Sequence, residues 1–121
     1  MDSTRQNKIS RLIQQDLGDI FLKEMKSKIG NSLITITRVR VTSDLSIARV
    51  YASIYPLGTM PESGELATKQ TVIDAILTNA ADIRRRLGIR EGKQLRIIPE
   101  LQFYLDDTLD YIENIENLLK N

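Results

Sequence analysis

Ile9, Leu12, Ile13, Leu17, Ile20, Phe21 and Met25 recur at steps of three and four residues, the spacing of one face of an amphipathic helix. The pattern predicts a helix from Ser3 or Thr4 to Lys26, with either hydroxyl as N-cap. Lys28 to Ser32 breaks it. From Leu33 to Val41 β-branched residues alternate with polar ones, as a strand requires. The apolar parity changes midway, from Ile34 and Ile36 to Val39 and Val41, which predicts a bulge or an end covered on both faces. A turn at Thr42, Ser43 and Asp44 leads into a second strand, Ile47 to Tyr55. Its Ala48, Val50, Ala52 and Ile54 share one face, and Arg49, Tyr51, Ser53 and Tyr55 the other. The two strands read as a hairpin.

Pro56, Gly58, Pro61 and Gly64 mark a loop, the one segment whose composition suggests a mobile insertion. Helical spacing resumes with Val72, Ile73, Ile76, Leu77, Ala80, Ile83 and Leu87, and Gly88 is the expected stop. A basic connection, Ile89 to Lys93, precedes a strand around Leu95 to Leu105, and Asp107 or Thr108 can cap a last helix through Leu119. The order helix, strand, strand, helix, strand, helix predicts an α+β domain, its three-stranded sheet covered by helices on one face. Periodicity leaves the strand order open, with first and last strands paired at the centre as one arrangement.

Composition narrows the chemistry. The 121 residues suit one domain, 1–121, large enough to bury a core without staples. Cysteine is absent, which removes disulfides, thiolate metal clusters and a thiol nucleophile, and histidine is absent too, which removes the usual general base. Apolar runs far shorter than a membrane span and a polar start without a signal-peptide core predict a soluble, cytoplasmic protein. The net charge of +1 is unevenly spread: residues 1–50, 51–78, 79–98 and 99–121 carry +4, −2, +4 and −5.

Arg84, Arg85 and Arg86 span most of a helical turn, so the three side chains fan outward. Opposition to the helix dipole accounts for one or two of them. With Arg90, Lys93 and Arg96 close behind, a phosphate-contacting surface is the better reading. Lys8 and Arg11 lie on a flank of the first helix, where a solvated face is the default, and Arg38 and Arg40 share one strand face. Asp106, Asp107 and Asp110 are read as helix-capping acids rather than a metal site. Tyr51, Tyr55, Phe103 and Tyr104 are of the type that stacks on bases, but packing within the sheet is the stronger reading.

Several stretches together resemble the ribosome-binding factor A family. They are Ser10 to Leu17, Thr35-Ile36-Thr37 through Val39-Arg40-Val41, Ser43 to Tyr51, Ile83-Arg84 with Leu87-Gly88, and Arg96-Ile97-Ile98-Pro99-Glu100-Leu101-Gln102-Phe103 followed by Asp106. The resemblance covers nearly the whole chain. It implies a type II KH-like fold of order α-β-β-α(kinked)-β-α, binding to free, immature small (30S) ribosomal subunits, and contact with 16S rRNA in late assembly and cold adaptation. It implies no catalysis and no cofactor. KH domains clamp the nucleic-acid backbone with a Gly-x-x-Gly loop between two helices, which the family replaces by an Ala-x-Gly kink. The matching positions here read Asn79, Ala80 and Ala81.

The expected RNA-contacting set is therefore Lys8, Arg11, Arg38, Arg40, Asn79, Ala80, Ala81, Arg84, Arg85 and Arg86, in a monomer that needs no metal. The alternative is a KH-like protein-interaction or general RNA-binding module not dedicated to the ribosome, which ribonuclease treatment of the target would separate. A hydrolase is a distant third, since no nucleophile and base can be paired.

Overall fold

The computed structural model describes residues 3–106. The last helix expected from the sequence, with Asp107, Thr108 and Asp110, lies outside them. Helix α1, Thr4–Lys23, starts in a reciprocal cap: the Ser3 hydroxyl accepts from the Gln6 N–H, and the Gln6 side chain accepts from the Ser3 N–H. A single turn, α2 (Lys26–Ile29), follows and ends at Gly30 with φ 89°. A Cβ there would stand 3.1 Å from the Thr59 carbonyl oxygen, so the left-handed backbone and the close approach both call for glycine.

Strands β1 (Leu33–Val41) and β2 (Ile47–Tyr55) form the expected antiparallel hairpin, and the register shifts between Ile36 and Arg38. The parity change is thus a bulge at Thr37, which turns Val39 and Val41 inward. Helices α3 (Lys69–Thr78) and α4 (Ala80–Glu91) follow, then β3 (Glu100–Leu105), which pairs with β2 in parallel. The sheet order is β1-β2-β3. The first and last strands therefore lie on opposite sides of β2 and do not pair at the centre. The crossover through α3 and α4 is what a parallel neighbour requires. The element order and the one-sided helical cover are those of the α+β, type II KH-like layout.

One face of the sheet, with Ile36, Val39, Val41, Ala48, Val50, Ala52, Ile54, Leu101 and Phe103, is buried against Ile13, Leu17, Ile20 and Phe21 of α1, Val72 and Ile76 of α3, and Ile83 and Leu87 of α4. Phe21 meets Phe103 edge to face, with centroids 6.2 Å apart. Along β1, the side-chain amides of Gln6 and Gln14 donate to the carbonyl oxygens of Val41 (3.0 Å) and Ile36 (2.9 Å).

Two expectations shift. Gly88 does not stop the helix, which continues to Glu91, because Ile83 and Leu87 stay in the core and Ile98 packs against Gly88. The third strand begins at Glu100 rather than Leu95, since the segment before it is held by side chains instead of a ladder. The loop after β2 is pinned by a bridge between Thr59 and Leu66 and by the burial of Met60 and Ala67.

Candidate nucleic-acid interface

The corner between α3 and α4 is made by one residue. Asn79 has φ −99° and ψ 13°, a bridge-region conformation open to any L-residue. Its N–H still reaches Ala75 and Ile76, and its side-chain amide donates to the Ala75 carbonyl oxygen at 2.8 Å. The interruption thus needs no glycine, and Ala80 and Ala81 follow in ordinary helix. The Asn79 side chain is spent on α3 and does not cap α4. Asp82 supplies the negative charge in the first turn of α4 instead.

The arginine run is largely occupied. Arg84 turns toward the segment before β3, donating through Nε to the Pro99 carbonyl oxygen (3.1 Å) and through Nη2 to that of Ile98 (2.6 Å). Arg85 pairs with Asp82 at 2.8 Å, yet its side chain remains 61% exposed. Arg86 reaches both Asp82 and Glu24 at 3.0 Å. Arg90 continues the ladder to Asp19 (2.6 Å) and Glu24 (2.7 Å), tying α4 to α1.

The ion pairs shift the ionisation of both partners. The Arg90 hydrogen bond, followed by Lys23 at Asp19 and by Arg86 at Glu24, holds those two carboxyls below their ordinary values; Arg85 and then Arg86 do the same for Asp82. Asp82 and Glu24 raise Arg86, and Glu24 and Asp19 raise Arg90.

Cations outside this ladder lie elsewhere. Lys8 and Arg11 are exposed on α1 and have no ion pair among the described residues. Arg5 and Lys8 line, with Arg96, a groove of about 940 Å³ floored by Ile9, Leu12 and Leu95. At its rim the Asp44 carboxyl is pulled down to about 2 by the hydroxyls of Ser46 and Thr42 and by the Ser46 N–H. Arg38 and Arg40 are exposed on the outer sheet face, where Arg40 sits opposite Arg49. Because α4 packs on the inner face, the structure does not bring Arg38 and Arg40 together with the arginine run.

The aromatic residues divide as their strand positions dictate. Phe103 is in the core, while Tyr51 and Tyr104 stack across β2 and β3 with centroids 5.3 Å apart. The Arg38 guanidinium lies 5.8 Å from the Tyr51 centroid. Sequence reasoning passed over Arg49 as a site residue, although its parity with Tyr51 was visible. The α1–α4 ladder had only the i,i+4 spacing of Asp82, Arg86 and Arg90 as a signal.

A family model described as Ribosome-binding factor A matches residues 5–119. A ribosome-binding factor A of Cytophaga hutchinsonii is 42% identical over 119 residues, covering 98% of this chain and 83% of the relative. That of Flavobacterium psychrophilum is 42% identical over 120 residues, covering 98% and 85%. The crystal structure of ribosome-binding factor A from Thermus thermophilus superposes with a TM-score of 0.63 at 16% identity, over 83% of this chain and 94% of that one. A homology model of the Thermus thermophilus ribosome-binding factor A, fitted into a cryo-EM map of its 30S complex, gives 0.59 at 15% identity, over 88% and 96%. At these identities the two structures establish the shared KH-like fold.

Proposed function

The chain belongs to the ribosome-binding factor A family, and on that premise we propose that it is a non-catalytic assembly factor. It binds free, immature small (30S) ribosomal subunits and assists late 16S rRNA maturation, including during cold adaptation. It acts in the cytoplasm as a monomeric, single-domain RNA-binding protein. The observation that carries the reading is the separation of its cations into two populations. Arg84, Arg86 and Arg90 are committed within the molecule, whereas Lys8 and Arg11 on α1 and Arg38 on the outer sheet face stand exposed without a carboxylate partner among the described residues. Exposed cations with unspent charge are what a phosphate backbone selects.

Lys8, Arg11, Arg38 and Arg40 contribute phosphate contacts, and Arg85 extends them from α4. Asn79, Ala80 and Ala81 form the corner near which the backbone runs, while Arg84 braces the segment before β3 and Arg86 holds α4 to Glu24. Co-sedimentation of the purified protein with free small subunits, large subunits and joined ribosomes, across a salt series, tests the reading. Selective, salt-sensitive association with free small subunits is expected. Equal association with all particles would sink the proposal and leave a general RNA-binding module.

A further inference from the structure

Arg38, Tyr51 and Tyr104 are register partners across β1, β2 and β3 and form one row on the outer sheet face. The row is stacked from end to end: guanidinium over Tyr51, and Tyr51 against Tyr104 at an interplanar angle of 26°. Tyr104 ends it on an edge strand. No described residue stacks on the side of that ring turned away from Tyr51, and the residue is 41% exposed. The next row, two residues along the strands and so about 6.7 Å away, is Arg40, Arg49 and Gln102. Gln102 accepts the Tyr104 hydroxyl hydrogen bond at 3.0 Å. Among the described residues, carboxylates on this face stand at its ends: Glu100 at the start of β3, and Asp106 beyond it, engaged by the Thr37 hydroxyl at 2.6 Å.

We propose that this face is a platform for single-stranded RNA, on which an unpaired base stacks against the outer side of Tyr104 while Arg49 and Arg38 hold the flanking phosphates. The inference rests on the RNA-binding reading above and adds to it the form of the ligand. A π-stacked row that ends at an edge has one unused face, and every nucleobase can extend it irrespective of sequence. Arg38 within the row and Arg40 and Arg49 in the row beside it match the polyanion, which a neutral or basic protein partner would not. A duplex keeps its bases stacked inside and has none to offer.

The test is titration of the full chain with an unstructured decauridylate and, separately, with a duplex RNA of the same length. With four tyrosines and no tryptophan, tyrosine emission includes this ring without tryptophan overlap, and the loss of quenching in Tyr104→Phe gives its share. Preference for the single strand with quenching of tyrosine emission is expected. Tyr104→Phe should bind like the parent, Tyr104→Leu about tenfold more weakly, and Arg49→Gln should lower the salt slope by about one. Thermal melts establish that each variant is folded.

Equal affinity of Tyr104→Leu and the parent, or no preference for the single strand, would overturn the platform. Co-sedimentation with small subunits, run on the same proteins, separates the two proposals. Selective subunit binding without single-strand preference removes the platform alone. Single-strand stacking without subunit selectivity supports the platform and removes the ribosomal reading.

Discussion

Glu91 is fully buried at the end of α4, and among the described residues neither of its carboxyl oxygens has a hydrogen-bond partner. Burial first, and then the neighbouring Asp16, push its carboxyl up to about 8. The folded protein keeps this proton, whereas the unfolded chain releases it near the ordinary value of 4.5. Stability should therefore fall as pH rises from about 4.5 toward about 8. Denaturant unfolding at pH 6 and pH 8.5 should show the fall in the parent and its absence in Glu91→Met. The variant should gain about 1–3 kcal/mol at the higher pH, because it buries no orphaned polar atom. A parent protein equally stable at both values would contradict the argument. The carboxyls of Asp19, Glu24 and Asp82 act in the opposite window: being lowered, they add stability above their ordinary values and lose it as acid is added. Arg84 makes a different residue-level case. Arg84→Ala should cost about 1–3 kcal/mol by freeing the carbonyls of Ile98 and Pro99, an effect visible in unfolding curves.

At the level of elements, the ladder Asp19, Glu24, Arg86 and Arg90 joins α1 to α4. Because its charges share partners, Glu24→Gln and Arg90→Gln should lower the melting midpoint by amounts that do not add, and molar salt should shrink the coupling. A strictly additive double-mutant cycle would mean that the ladder is ornamental. The ladder also marks where sequence reading stops. Apolar periodicity placed the hairpin and α1, which ends at Lys23 rather than Lys26, and it flagged the parity change in β1 without deciding between a bulge and an end covered on both faces. The partners of Arg84, Arg86 and Arg90 lie up to 71 residues away, and no local spacing encodes such contacts. The same holds for β3. Leu95 to Leu105 is apolar enough to read as one strand, yet the Arg84 hydrogen bonds hold Ile98 and Pro99 outside the ladder that begins at Glu100. The corner at Asn79 was legible as a place but not as a geometry, since a bridge-region turn, unlike a left-handed one, leaves no glycine in the sequence.

For the whole molecule, a net charge of +1 conceals how cations are distributed between internal ion pairs and solvent. If Lys8 and Arg11 are phosphate contacts, Lys8→Glu with Arg11→Glu should lower the slope of log affinity against log salt by about two, read from the same sedimentation series. Reversing Arg86 and Arg90 should instead act through unfolding, seen as a lower melting midpoint. An unchanged salt slope in the first variant would move the RNA contacts away from α1. The glutamines of α1 have a further consequence, for how copies of the chain meet one another. A sheet grows by accepting strands on an exposed rim, and Gln6 and Gln14 already occupy the β1 carbonyls of Val41 and Ile36 that a newcomer would need. The helix that feeds the core thereby closes part of the β1 rim to a second copy.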